Sequence, residues 1–356
     1  VTRSACRHLE QVLTASKHKH AVAIEAAYRI ILAIATGQGI EIARTPRILI
    51  VSIKDDLHAL WVTEQVRRRG ADCALVESNN MIKAGGLSWS PGSVRSWLIC
   101  RDGERIDPAT YDLIWWRRSA YPQLPAQGVE GAEEQQLATS EWRHALLGVL
   151  LTGFRGVWVN NPNVIPRAEN KLLQLDVAEK VGLNVPDTLV SQDPETVARF
   201  VGRNGNAIVK PIYGSARQTI EVMGVESDNL PPAASIRLAP AIWQVRVPVV
   251  SHLRVHVFGE RTIAAEMTAD HLDWRFTQPS RPQNVTLAED LDRKLRAFCG
   301  ELGLEMAIFD LVRDSKGCTL FLEANQQGQF LFIEGRSGIP LTEAFTAFLM
   351  DRALND

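Results

Sequence analysis

Met306-Ala307-Ile308-Phe309-Asp310 is an apolar run that closes on an acid, and Thr319-Leu320-Phe321-Leu322-Glu323-Ala324-Asn325 is a second that closes on an acid and an amide. Both read as β-strands, and Gly317 between them suits the turn of a hairpin. Residues two apart on a strand face the same way. Glu323 and Asn325 are therefore expected to project together, with Asp310 joining them from the neighbouring strand. Three oxygen ligands at the open end of a sheet suit Mg²⁺, a hard cation that also takes phosphate oxygens. Either acid taken singly reads equally well as a surface residue at a strand end.

Working outward, Val209-Lys210-Pro211 ends another apolar strand on a lysine, ahead of Tyr213-Gly214-Ser215. Such a lysine can stand over a phosphate while loop N–H groups cover it. Lys171 opens a helix expected over Asn170 to Val181, with Leu172, Leu173, Leu175, Ala178 and Val181 as its apolar face and Gly182 as its stop. Further upstream, Arg47 to Ser52 reads as a buried parallel strand, Ala59 to Arg69 as a helix and Ala74 to Val76 as a strand. This β-loop-α-β order predicts a small doubly wound layer. Asp112 to Trp116 and Val157 to Asn160 are further strands flanking a helix over Glu130 to Leu151. Downstream, strands are expected over Pro186 to Ser191, Ile242 to Val250, Leu253 to Phe258 and Thr262 to Thr268. Helices are expected over Pro194 to Gly202, Leu287 to Leu302 and Leu341 to Leu354. Residues 212 to 240, rich in Gly, Ser and Pro, read as a covering loop.

The chain has 356 residues, 46% hydrophobic and 22% charged, with a formal net charge of −2. That size supports two or three domains, and that charge gives no bulk reason to expect nucleic acid as partner. Its five cysteines are an odd count, which suits a reducing compartment, and form no CxxC pair, which argues against zinc. The apolar run Ala21 to Ala35 is short for a membrane span and carries Glu25 and Arg29. A cytoplasmic protein without membrane partners is expected.

The set Asn170-Lys171, Lys210-Pro211, Gln244-Val245-Arg246-Val247, Leu253-Arg254-Val255, Asp310 and Glu323-Ala324-Asn325 resembles the ATP-grasp superfamily. The resemblance implies an α/β (α+β) ATP-grasp fold behind an N-terminal doubly wound pre-ATP-grasp domain. It implies that Lys171 and Lys210 contact ATP phosphates, and that the backbone of Gln244, Val245 and Val247 reads adenine at a hinge. Asp310, Glu323 and Asn325 would hold Mg²⁺, and Arg254 would face the phosphate or acyl phosphate. The boundaries expected are 1–45 for an N-terminal helical extension, 46–165 for the pre-ATP-grasp domain, 166–248 for the central subdomain and 249–356 for the C-terminal subdomain.

Narrower motifs resemble the microviridin-type maturases, the ATP-grasp macrocyclases of graspetide (omega-ester-containing peptide) biosynthesis. These are Asp112 to Arg118, Trp158 to Pro162, Glu169 to Leu175, Val185 to Val190, Asp273-Trp274-Arg275, Gly328 to Glu334 and Gly338 to Leu341. That resemblance implies a homodimeric ligase using ATP and Mg²⁺ on a precursor peptide with a leader and a core. It would join Asp or Glu side chains to Thr or Ser hydroxyls, or to Lys amines, with Asp273 and Arg275 recognising the acidic core. The alternative is an ATP-grasp carboxylate–amine ligase for a small molecule or a protein tail, which would share every ATP and metal residue named. A third reading is a fold that has lost turnover and only binds a peptide; the intact lysine and acid set speaks against it.

Overall fold

The computed structural model describes residues 44–81, 86–91, 96–118, 131–213, 221–269 and 279–355. The chain divides into two compact units, Val1–Thr45 and Pro46–Asp356. The helical extension expected over 1–45 lies outside the described residues but for its last two. All the elements that follow belong to the second unit.

β1 (Arg47–Ser52), α1 (Leu57–Arg68) and β2 (Asp72–Glu77) open it as a right-length β-α-β unit. Asp56 caps α1 by accepting from His58 N, and Gly70 leaves the helix at φ +90°. The short strands β3 (Leu87–Ser88), β4 (Trp97–Ile99) and β5 (Arg105–Ile106) pair as a small antiparallel sheet. β6 (Leu113–Trp116), α2 (Ala132–Gly153) and β7 (Val157–Val159) complete a parallel sheet of order β2-β1-β6-β7. The strand β1 is apolar from Ile48 to Val51 because both faces of the sheet are covered there. Ile48 and Ile50 pack against Ala59, Val62 and Val66 of α1, whereas Leu49 and Val51 pack against Leu146, Val149 and Leu150 of α2.

After α3 (Ile165–Ala168), a single helical turn, α4 (Lys171–Lys180) begins at an Asn170 cap. β8 (Thr188–Ser191), α5 (Pro194–Asn204), β9 (Ala207–Lys210), β10 (Met223–Val225), α6 (Ala233–Ile236) and β11 (Ala241–Val245) form an antiparallel sheet of order β10-β9-β11-β8. Its core joins Val197, Phe200 and Val201 of α5 to Ala207 and Trp243. β12 (Val249–Phe258), β13 (Arg261–Met267), β14 (Gln283–Val285), α7 (Glu289–Leu302), β15 (Met306–Asp314) and β16 (Thr319–Asn325) build the third sheet, of order β14-β13-β12-β15-β16. α8 (Leu331–Ser337) and α9 (Leu341–Asn355) follow. Phe345 and Leu349 of α9 share one core with Ile48 and Trp115 of the parallel sheet and with Phe258 and Ile308 of the third. The C-terminal helix thus fastens the two sheets together.

Four expectations change. The strand expected over Ile242 to Val250 is two strands in different sheets, broken at Arg246–Pro248, where proline offers no N–H to a ladder. α4 buries the expected face only in part: Ala178 is buried and Leu175 and Val181 pack against the same core, but Leu172 is 41% and Leu173 37% exposed, and Gln174 and Val177 are buried in their place. The stretch 212–240 is not all loop, since β10 pairs with β9 and Ala233–Ile236 is helical; residues 214–220 lie outside the described ones. Finally α8, unannounced in the sequence, is only seven residues long with Gly335 inside it, too short for periodicity to reveal.

Candidate active site

The β15–β16 hairpin forms as expected. Asp314 closes its turn by accepting from the N–H groups of Lys316 and Cys318, and Gly317 supplies φ +81°. Asp310 stands directly opposite Glu323, and Ile308 opposite Asn325. A bulge lies between these pairs and Leu311↔Phe321, leaving Leu322 as the extra residue. Its effect is on facing. Phe321 and Ala324 are three apart, so regular alternation would send them to opposite faces, yet both enter the core that holds Phe309 and Leu311. The bulge thereby turns Glu323 onto the face of Asp310. Two-residue alternation alone would have placed Phe321 on that face too.

On the other side of Asp310 the partner across the ladder is Arg254 of β12. Its Nη1 donates to Asp310 Oδ1 at 2.6 Å and Oδ2 at 2.7 Å. Arg254, Asp310 and Glu323 therefore form one row across three strands. Lys171, at the first position of α4, reaches Glu323 Oε2 at 3.1 Å. Each carboxylate of the row is thus balanced by a cation. Asn325 Oδ1 accepts from Gln327 N at 2.9 Å.

Lys210, at the end of β9, lies close enough to this group to feel its charges. Burial and the charge of Lys171 pull its pKa from 10.5 down to about 8, against the upward pull of Glu323. Its Nζ donates to Gln244 Oε1 at 3.0 Å. Gln244 itself is buried inside β11, paired with Thr188 and Ile208. Of the hinge expected at 244–247, the N–H of Val245 is taken by Asp187 O at 2.9 Å and that of Arg246 by Asn206 O at 3.1 Å. Val247 lies beyond the strand. Asp273 and Arg275 fall outside the described residues.

Sequence reasoning missed the residues that hold the segment after Glu323. Gln174 Nε2 donates to Ala324 O and to Ala168 O, and its Oε1 accepts from Ala324 N. Asn160 accepts from Glu305 N and Met306 N and donates to Met306 O and Gln326 O, using its whole carboxamide. Gln326 Nε2 donates to Glu169, whose pKa burial raises against that bond. Gly328 approaches β15 so closely that a Cβ would sit 2.7 Å from that of Ile308. Arg254 Nη2 donates to Gln329 O. His58 Nε2 accepts from both Phe330 N at 3.0 Å and Leu331 N at 3.1 Å, so that ring nitrogen is unprotonated. Burial, with Arg117 and Arg118 nearby, keeps His58 neutral, at a pKa of about 3. Arg117 is buried in an ion pair with Asp56 at 2.7 Å. Burial alone would raise Asp56, but the Arg117 charge and hydrogen bonds from Arg117, Ser52 and His58 hold it below its ordinary value. A glutamine amid leucines at 174 and an asparagine closing the apolar run Val157-Trp158-Val159 were the available signals.

Two carboxylates and one amide oxygen make an all-oxygen donor set. Among the described residues no group of three or more His, Cys, Asp or Glu could hold a metal ion. Mg²⁺ commonly takes only one or two carboxylates and completes its shell with water and phosphate, so the residues present fit it.

No protein-family model matches the sequence, and no curated protein matches it. Solved structures do. The macrocyclase MdnC from Microcystis aeruginosa MRC, bound with precursor peptide MdnA, superposes with a TM-score of 0.76 at 20% identity, over 86% of this chain and 99% of that one. The ATP-grasp ligase PsnB, complexed with a phosphomimetic variant of minimal precursor, Mg and ADP, gives 0.72 at 21% identity, over 87% of this chain and 99% of that one. This chain has the ATP-grasp fold. A RimK domain ATP-grasp protein from Sphaerobacter thermophilus DSM 20745 is also similar, with a TM-score of 0.53 at 17% identity over 85% of this chain and 99% of that one. In ATP-grasp terms, the third sheet carries the acids and the second carries Lys210. Among the described residues no helix is long and apolar enough to cross a membrane.

Proposed function

We propose that this chain is an ATP- and Mg²⁺-dependent macrocyclase. It joins Asp or Glu side-chain carboxylates of a ribosomal precursor peptide to Thr or Ser hydroxyls or Lys amines, through an acyl phosphate. The observation that carries the ATP and Mg²⁺ part of this is the row Arg254–Asp310–Glu323 with Lys171 on Glu323: two adjacent carboxylates bracketed by cations, near enough to Lys210 for Glu323 to act on its charge. The structures that superpose with TM-scores of 0.76 and 0.72 are complexes with a precursor peptide and a minimal-precursor variant, which supports a peptide as the substrate.

A carboxylate is a poor electrophile at neutral pH. Its oxygen attacks the γ-phosphorus of ATP, ADP leaves, and the resulting acyl phosphate has a good leaving group. A hydroxyl or amine of the same peptide then attacks the acyl carbon, the C–O bond to phosphate breaks, and the nucleophile's proton passes to solvent. Little covalent work falls to the protein, so charge placement supplies most of the rate. Mg²⁺, held by Asp310, Glu323 and Asn325, would neutralise phosphate oxygens. Lys171 and Lys210 shield the phosphates, and Arg254 keeps Asp310 aimed at them. Val245 and Val247 are assigned to the adenine end, Gln244 with them by position. Asp273 and Arg275 are assigned to the acidic core, because a planar guanidinium suits a bidentate carboxylate. The domain boundaries named above, a homodimer, and a cytoplasmic setting belong to the same reading. The buried free thiols Cys73, Cys100 and Cys299 are compatible with the last.

Incubation with ATP, Mg²⁺ and a Thr- and Glu/Asp-rich precursor peptide tests the reading. Loss of one water, about 18 Da, per ring from the peptide with matching ADP release supports it. ADP release only with free amino acids would replace it by the carboxylate–amine ligase.

A further inference from the structure

Gln244 was expected to act through its backbone; its side chain is better placed. We propose that Gln244 is a positioning residue that holds the Lys210 ammonium toward the nucleotide phosphates, and that Thr188 sets the orientation of the Gln244 carboxamide. The proposal rests on the reading of this cleft as an ATP site.

The orientation follows from counting hydrogens. Thr188 Oγ1 lies 2.6 Å from Pro186 O and 2.8 Å from Gln244 Nε2. A carbonyl can only accept, so the single hydroxyl hydrogen goes to Pro186 O. Thr188 must then accept from the carboxamide, which puts the nitrogen end of Gln244 at Thr188 and the oxygen end at Lys210 Nζ, 3.0 Å away. A flipped carboxamide would set its N–H groups against an ammonium and leave two acceptors facing each other at Thr188. Both neighbours therefore demand the same rotamer, and a buried strand holds it.

The chemistry of the acceptor matters as much as its place. Lys210 is partly buried with Lys171 near it, a setting that disfavours its charge. An amide oxygen satisfies one ammonium hydrogen without cancelling the charge, leaving the full positive charge for phosphate. A carboxylate at the same position would hold the lysine more tightly and spend that charge. Without any acceptor, the nearest counter-charge for Lys210 is Glu323, already paired with Lys171 and needed for the metal.

Binding of Mg²⁺·ADP to the full chain, followed by calorimetry beside the melting temperature, tests this. Gln244→Leu is expected to weaken binding about tenfold, the loss of one charge-assisted hydrogen bond. Gln244→Glu is expected to weaken it comparably, because the carboxylate neutralises the ammonium and offers Thr188 no hydrogen. Thr188→Val, which keeps shape and loses the hydroxyl, is expected to weaken binding by about threefold, and Thr188→Ser to restore it. Undiminished affinity in Gln244→Glu, or Thr188→Ser behaving as Thr188→Val does, overturns the proposal, even if Gln244→Leu fails to fold. Absence of Mg²⁺·ADP binding by the unmodified chain overturns the nucleotide reading itself and this inference with it. Binding by the unmodified chain with equal binding by the variants overturns this inference alone.

Discussion

Gln174 bonds both backbone groups of Ala324, accepting its N–H at 2.9 Å and donating to its carbonyl at 2.9 Å. The side chain thus acts as one more strand along β16 and fixes the helix that begins with Lys171 against the strand that carries Glu323. Gln174→Leu keeps the volume and leaves the N–H and C=O of Ala324 without this partner in a buried place. We expect a loss of about 3 kcal/mol in denaturant unfolding, with ADP formation reduced in the folded fraction. An unchanged unfolding midpoint would show that the contact does not dock the helix.

Glu323→Gln removes one anion and almost no volume. The Lys171–Glu323 pair is partly exposed, so its loss moves stability little, by under about 1 kcal/mol. ADP formation is expected to vanish while the melting curve stays nearly in place. Normal turnover in this variant would take Glu323 out of the proposed metal site.

His58 predicts acid sensitivity. Its folded pKa is about 3 against an ordinary 6.5. The unfolded chain therefore takes up a proton first: the stabilisation is complete above pH 6.5 and is lost as pH falls from there toward 3. The slope due to this residue is about 1.4 kcal/mol per pH unit. His58→Gln retains an acceptor for Phe330 N and Leu331 N but does not titrate. Stability followed by denaturant between pH 7 and 4 should fall less steeply in the variant, and equal slopes would contradict the assignment.

Lys210 predicts proton-linked nucleotide binding. With its pKa at about 8, part of the population is neutral above that pH, and phosphate favours the charged form. ADP binding should therefore take up protons at pH 9 and almost none at pH 6.5, and should weaken as pH rises through 8. Calorimetry in two buffers of different ionisation enthalpy reads the proton count directly. No difference between pH 6.5 and pH 9 would remove Lys210 from the phosphate site.

Much of the skeleton was legible because apolar periodicity reports burial. Arg47–Ser52 runs as a strand over the residues expected, and Lys210 ends its strand as expected. Patterning failed where a polar contact outbid it. Leu172 and Leu173 of α4 read as part of a core face, but the inward position between them and Leu175 goes to Gln174, which bonds Ala324, and those two leucines are exposed. It failed again at Pro248, where one apolar stretch serves two sheets.

By itself the sequence determined which residue types were available near one strand end: the acids at 310 and 323, the amide at 325, and lysines ending or opening elements at 210 and 171. Local chain chemistry sets those, since strand, cap and turn preferences act over a few residues. Only the tertiary structure decided that Leu322 is squeezed out of register so that Glu323 meets Asp310, that Arg254 lies on the far side of that pair, and that Gln244 holds Lys210. Those relations join positions far apart in the chain, and their directions depend on the facing of whole strands, which a single inserted residue reverses.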